Sequence, residues 1–211
     1  APRLPGPQTW VLHDWNPALL EHAAEQAPVA GTVVRTNVKD LAELCADDLA
    51  GGSLVTMSAL LDVLTRDEVY VVVRACVAAG VPALFTLSVT GRVVLDPVEP
   101  GDRLFGAAFN DHQRRTVGGR RLLGPDAVTV AIDLFAAAGW SVRAASSPWR
   151  LDASDRPLVA EWLDGWLDAA VEERPTLQDE RESYVRRRMD QLAAGALRVV
   201  VHHRDFLAWP P

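Results

Sequence analysis

Short runs of β-branched and aromatic residues alternate along this chain with longer stretches in which apolar residues recur three and four positions apart. Residues 9–13 form the first run. Asp14 ends it, and Asn16-Pro17 opens a helix with Leu19, Leu20, Ala23 and Ala24 on one face, asparagine serving as cap and proline suiting the first helical position. Residues 32–36 predict a second strand, followed by Asp40-Leu41. Gly51-Gly52 breaks the chain before a third strand at 53–58, whose apolar residues do not alternate cleanly, as expected of a strand covered on both faces. Thr65 and Glu68 have capping-box spacing, and the helix they start carries a stripe of Val69, Val72, Val73, Cys76 and Val77 before Gly80 stops it. Residues 82–88 predict the next strand, with Thr90-Gly91 turning it into a hairpin arm at 92–95.

The second half continues the alternation. Leu104, Phe105, Ala108, Phe109 and His112 predict a helix over 102–115, and a glycine- and arginine-rich loop follows. Gly124-Pro125 starts a helix with Val128, Ala131, Ile132 and Phe135 inward; a strand over 140–145 and a turn at 147–150 come next. Leu158, Trp162, Leu163 and Trp166 make a strongly amphipathic helix. Another runs from a cap at Thr176 to about residue 194, and residues 197–203 predict a final strand. Strands alternating with helices predict a single α/β domain over residues 1–211, a doubly wound sheet whose last strand is expected to be antiparallel. The first eight residues, rich in proline, read as a connection and not an element.

Charge and composition narrow the function classes. A formal net charge of −7 gives no general attraction to nucleic acid or anionic membrane. No run has the roughly 20 apolar residues of a membrane span. Cys45 and Cys76 stand in no metal-binding or redox spacing, so no metal is expected and the cysteines read as reduced thiols of a cytoplasmic protein. Asp14 ends a strand that turns directly into a helix, where a carboxylate is placed to accept both hydroxyl hydrogens of a ribose.

Taken in order, TWVLHDWNPALLEHA, Asp40-Leu41, GSLVTMSALLDVLT, ALFTLSVTGRVVLDP and SVRAASSPWRL resemble an S-adenosylmethionine-dependent methyltransferase of the Rossmann-like class, over nearly the whole chain. The AFNDHQRR segment at 108–115 and the GPDA helix start at 124–127 belong to the same resemblance. It implies that Asp14 holds the cofactor ribose, that Trp15 lies against adenine, that Asp40 with Leu41 contacts the adenine side, and that Ser58 lines the methionine side. His112 is then the candidate general base, its ordinary pKa being near neutrality. Phe109, Asn110, Gln113 and Trp149 are candidate walls and anchors for a small-molecule acceptor. Arg114 and Arg115, part of the basic cluster with Arg120 and Arg121, are candidates for an acidic group on that acceptor. His202 and His203 alternate along a strand and are expected to point to opposite faces, so no shared site is expected of them.

The family's acid-x-Gly-x-Gly-x-Gly loop occurs nowhere in the sequence. The expected fold is therefore a Rossmann-like sheet of the methyltransferase type lacking its first strand, in a chain that is the C-terminal part of a longer protein. A homodimer is compatible with this reading. The alternative is a non-catalytic Rossmann-like module that binds a nucleotide or a partner chain.

Overall fold

In the computed structural model the placement of residue 4, residues 6–26 and residues 31–211 is described; Ala1 to Arg3 and Pro5 of the expected N-terminal connection lie outside the described residues. β1 (Gln8–Asp14) pairs in parallel with β2 (Thr32–Val38), in register from Gln8 opposite Thr32 to Asp14 opposite Val38. Between them α1 (Pro17–Gln26) covers one face and buries Leu20. Thr9 and Val11 of β1 and Val33 and Arg35 of β2 alternate outward and stay exposed. A short helix, α2 (Ala46–Leu49), follows, and Lys39 Nζ reaches its Asp48 at 2.6 Å. The hydrogen bond from Lys39, with those from Cys45, holds the Asp48 carboxyl well below the usual range.

β3 (Val55–Ser58) pairs in parallel with β4 (Ala83–Asp96), and α3 (Arg66–Ala79) connects them. The predicted capping box is present: Thr65 Oγ1 accepts the Glu68 amide at 3.2 Å, and the Glu68 carboxylate accepts the Thr65 amide at 2.8 Å. Gly80 ends α3 with φ of 68°, its amide turned back to Cys76 and Val77.

The expected hairpin at Thr90-Gly91 is not formed. β4 is one strand of 14 residues that bends through two irregularities, between Phe85 and Ser88 and between Val89 and Val93. A glycine with φ of 73° serves a bulge as readily as a turn, and here the partner strand lies far along the sequence.

α4 (Gly101–Gln113) is followed by a tiny hairpin of β5 (Thr116–Val117) and β6 (Arg120–Arg121), and then by α5 (Ala127–Ala137). β7 (Ser141–Ser146) is the expected strand, and the expected turn at 147–150 contains a short strand, β8 (Trp149–Leu151). α6 (Arg156–Glu173) and α7 (Gln178–Ala193) lead to β9 (Arg198–Trp209), which runs well past its expected end. β9 is antiparallel, as expected of the last strand, and pairs with β4, β7 and β8. The sheet order is β3-β4-β9-β7 with β8 also on β9, while β1-β2 forms a separate parallel pair. Among the described residues β1 pairs only with β2 and β3 only with β4, so each keeps one open edge.

Two apolar clusters flank the bent β4-β9 ladder. The first packs α3 and α5 on Phe85 and Phe206, whose rings stack at 4.5 Å, with Phe135 set edge-on to both. The second packs α4, α6 and α7 on Leu95, Val199 and Val201. Each fully buried aromatic side chain contributes roughly 1.5–3 kcal/mol, so these clusters are the main stabilising force on the ladder. No described helix is long and apolar enough to cross a membrane. Among the described residues no group of three or more histidine, cysteine or acidic side chains is arranged to hold a metal ion.

Candidate functional site

Carboxylates gather where the parallel strands end. Asp14 closes β1, and its Oδ1 accepts the Asn16 amide at 2.8 Å while Asn16 Oδ1 accepts the Ala18 amide at 3.0 Å, which sets the start of α1. The Lys39 amide donates to the Asp14 carbonyl at 2.9 Å, bringing Asp40 to the same end of the pair. Asp40 caps a short turn, its Oδ1 accepting the Ala42 amide at 2.8 Å; Leu41 begins that turn. Oδ2 of each carboxylate makes no hydrogen bond among the described residues, so both can accept from a ligand hydroxyl or amine. Trp15 is 72% exposed beside Asp14.

Ser58 ends β3 opposite Thr86. Two non-glycine residues adjoin this point with positive φ, Ala59 at 50° and Leu87 at 53°. Asp205 of β9 holds the second: its Oδ1 accepts the Leu87 amide at 2.9 Å and the Ser147 hydroxyl at 2.6 Å. Strained backbone of this kind persists where the surroundings fix it, and it is frequent at ligand sites.

The turn after Ser58 delivers Asp62 to a cavity of about 280 Å³ between α4, α6 and the bent part of the β4-β9 ladder. Its walls are aromatic: Phe109 from α4, Trp149 from β8, Trp162 and Trp166 from α6. Trp162 stacks on Trp166 at 5.4 Å, Phe109 is tilted 49° to Trp166, and Trp149 is tilted 48° to His203, so the rings make walls at an angle. Asn110, Gln113, His202 and His203 add polar groups, and Arg92 is exposed at the rim. Asn110 is fixed by its Nδ2, which donates to the Gly91 carbonyl at 2.7 Å. A Cβ at Gly91 would stand 2.9 Å from both Asn110 Oδ1 and Pro125 Cβ, so glycine is required there for space as well as for its φ.

Four buried polar atoms on these lining side chains have no hydrogen-bond partner among the described residues: Asn110 Oδ1, Gln113 Oε1, Trp166 Nε1 and His203 Nδ1. Each unsatisfied buried group costs roughly 1–3 kcal/mol, so four around one cavity define a place where a polar ligand restores what folding leaves unmade. Burial pushes the Asp62 carboxyl up and the His203 imidazole down, while their charges favour each other. Burial, then the charges of Arg92 and Arg150, also pushes His202 down.

Phe109, Asn110, Gln113 and Trp149 are thus brought together in one cavity. His112 is not among its lining: it is 8% exposed, with Nε2 3.1 Å from Glu172 Oε2 and Nδ1 3.2 Å from Arg115 Nη1. Arg115 also donates to the His112 carbonyl. Arg114 lies in a separate cleft of about 230 Å³ with Arg66 and Arg121, and grips Asp126 through Nε at 2.6 Å and Nη2 at 2.8 Å. Arg120 is paired with Glu68. Two of the four arginines in the basic cluster, Arg114 and Arg120, are therefore paired with acids, while Arg115 is turned to His112.

His202 and His203 both line the cavity, against the expectation from strand alternation. The three residues Thr90–Arg92 bulge out between the pairs Val89–His203 and Val93–Val201, and Thr90 Oγ1 donates to the His202 carbonyl at 3.1 Å, so the ladder is opened beside both histidines. Nothing in the sequence marks that bulge beyond Gly91 itself. Asp62 carried no signal apart from its position soon after Ser58, and Trp162 and Trp166 read as packing because their spacing is that of a buried helix face.

No family model matches the chain, and no curated protein matches it. Solved structures do. The mycolic acid cyclopropane synthase CmaA1 complexed with S-adenosylhomocysteine and CTAB is 12% identical, with 97% of this chain and 78% of that chain covered and a TM-score of 0.48. The cyclopropane synthase MmaA2 from Mycobacterium tuberculosis is 10% identical, with coverage of 97% and 78% and a TM-score of 0.47. The YcgJ protein from Bacillus subtilis is 11% identical, with coverage of 95% and 81% and a TM-score of 0.47. No residue role passes across at such identities.

Proposed function

We propose that the protein is a methyltransferase that binds S-adenosylmethionine along the strand ends carrying Asp14 and Asp40 and methylates a small molecule held in the tryptophan-walled cavity. The observation that carries this reading is that β3 ends at Ser58, the residue assigned to the methionine end, and the turn after it carries Asp62 into the cavity. The residues present fit the adenosine half of the cofactor, because Asp14 and Asp40 each keep a free carboxylate oxygen and Trp15 offers an open ring face. In this assignment Asp14 takes the ribose hydroxyls, Trp15 and Leu41 lie against adenine, Asp40 takes its amino group, and Ser58 faces the methionine end. When bound, S-adenosylmethionine supplies a sulfonium methyl that is open to in-line displacement.

The chain's own residues supply position and a proton acceptor. Asn110 Oδ1 and Gln113 Oε1 orient donor groups of the acceptor, and the four aromatic rings exclude water, which is most of what such a displacement needs. His203, kept neutral by burial, takes the acceptor's proton at Nδ1, and the Asp62 carboxylate stabilises the imidazolium that results.

Calorimetric titration of S-adenosylhomocysteine tests the assignment. The 211-residue chain should bind it, and Asp14→Ala should weaken binding at least tenfold, since a carboxylate accepting two ribose hydroxyls makes charge-assisted bonds of about 1.5–3 kcal/mol. Equal affinity in the mutant would remove Asp14 from the site. The absence of an acid-x-Gly-x-Gly-x-Gly loop from the sequence favours a second reading, a non-catalytic module. Folded protein that shows no binding at all would establish that one instead.

A further inference from the structure

We propose that the cavity selects a protonated amine, a small organic cation whose N–H groups meet Asn110 Oδ1, Gln113 Oε1 and Asp62 while its charge lies against the aromatic walls. This assignment of substrate class rests on the reading of the cavity as the methyl-acceptor site.

The lining of the cavity sets its preference. Asn110 must offer its oxygen, because its Nδ2 is already bound to the Gly91 carbonyl. The unpartnered amide oxygens of Asn110 and Gln113 and the carboxylate of Asp62 are all acceptors. Four aromatic rings surround them, and the face of each ring carries negative quadrupolar charge that attracts a cation. Opposed to this set are the Trp166 Nε1 donor, the Gln113 amide nitrogen, the single N–H of each neutral imidazole of His202 and His203, and one guanidinium, Arg92, which is exposed. An anion seated in the interior would face carboxylate, amide oxygens and ring faces together. A neutral apolar ligand would leave four buried polar atoms unpaired. An ammonium group satisfies the acceptors, and a hydroxyl or ether oxygen elsewhere on the same molecule would satisfy Trp166.

Acceptors and ring faces that favour the ammonium raise its pKa, so the nitrogen lone pair is freed only by a base inside the cavity. The N–H bond breaks as the proton passes to His203 Nδ1, forming an N–H bond there. The Asp62 carboxylate keeps the total charge balanced while the imidazole holds that proton.

Three probes of one shape and different charge decide the matter: benzylammonium, benzyl alcohol and benzoate. Each is titrated into the 211-residue chain while the indole N–H signals of the seven tryptophans are followed in ¹H–¹⁵N spectra, which also report that the protein is folded. Benzylammonium should shift the signals of Trp149, Trp162 and Trp166, assigned by single Trp→Phe variants, and bind at least tenfold more tightly than benzyl alcohol. Asp62→Asn should reduce that preference to less than threefold, and Trp149→Leu should weaken benzylammonium roughly 3- to 30-fold, the range for loss of one desolvated cation–π face. Equal binding of benzylammonium and benzyl alcohol would overturn the proposal, and so would preferential binding of benzoate, which would assign the cavity to Arg92. Charge selectivity without any binding of S-adenosylhomocysteine would keep the amine site and defeat methyl transfer. Cofactor binding without charge selectivity would do the reverse.

Discussion

Replacing Arg188 with methionine should destabilise the protein by about 3–5 kcal/mol, the cost of leaving a buried charge without its partner. Arg188 on α7 is fully buried; its Nη1 donates to the Pro97 carbonyl at 2.6 Å and to Gln191 Oε1 at 2.8 Å, and its Nη2 to Asp102 Oδ1. Tyr184 donates its hydroxyl to the same Asp102 oxygen at 2.6 Å, and Asp102 Oδ2 accepts the Glu99 amide at 3.0 Å at the start of α4. Methionine matches much of the arginine's volume, so the loss is electrostatic: a carboxylate whose side chain is 13% exposed loses the one cation paired with it among the described residues, and the Pro97 carbonyl loses a donor. Against a total stability of about 5–15 kcal/mol this is a large fraction, and for a chain of this length it corresponds to a fall in Tm of roughly 6–20 °C. Urea unfolding followed by circular dichroism, with an unchanged m-value, would measure it. The companion variant Arg188→Met/Asp102→Asn removes both charges and should recover at least half of the loss. A single mutant within 1 kcal/mol of the parent, or a double mutant no better than the single, would refute the reasoning.

Two further outcomes follow from the cavity. Gly91→Ala forces a side chain into positive φ and against Asn110 and Pro125; it should cost about 1–3 kcal/mol in urea unfolding and weaken any cavity ligand, while Gly139→Ala, equally positive in φ but with open space around it, should cost only the backbone part. Burial lowers the pKa of His203 in the folded state, so the unfolded chain takes up its proton first on acidification. That histidine's contribution to stability is complete above its unfolded pKa of about 6.5 and is lost as pH falls through and below it. Tm measured from pH 7.5 to 5 should therefore drop less steeply in His203→Gln than in the parent, and identical slopes would contradict the assignment.

Where a pattern is closed within a few residues, the sequence shows it. The Thr65–Glu68 capping box, the Asn16-Pro17 start of α1 and the glycine stop at Gly80 are local agreements between side chain and backbone, and each forms. Phe109, Asn110 and Gln113 are gathered for the same reason, since they stand on one face of α4. The rest depends on partners distant in sequence. Thr90-Gly91 reads as a turn until β9 is known to lie across from it, because the same positive φ serves a hairpin or a bulge. His203 escapes notice because alternation assumes an unbroken ladder, and Asp62 because its approach to the cavity depends on where α6 packs. Arg114 and Arg115 illustrate the opposite error: charges adjacent in sequence are turned to different neighbours, Arg114 to Asp126 and Arg115 to His112.

The position of β9 carries a consequence for how the protein is made. Ala83 lies opposite Ala208, and among the described strands β9 alone joins β4 to β7 and β8. During synthesis β3 and β4 can pair, but β7 and β8 have no partner among the described strands until the segment around residues 198–209 has cleared the ribosome. The helices α3 to α7 can form on the nascent chain, but the sheet they cover cannot close before then, because a long-range closure must precede the contacts that reward it. A chain ending before residue 198 would keep its helices in sequence but lose the middle of its sheet, a substrate for proteases and not a slightly shortened form of the same fold.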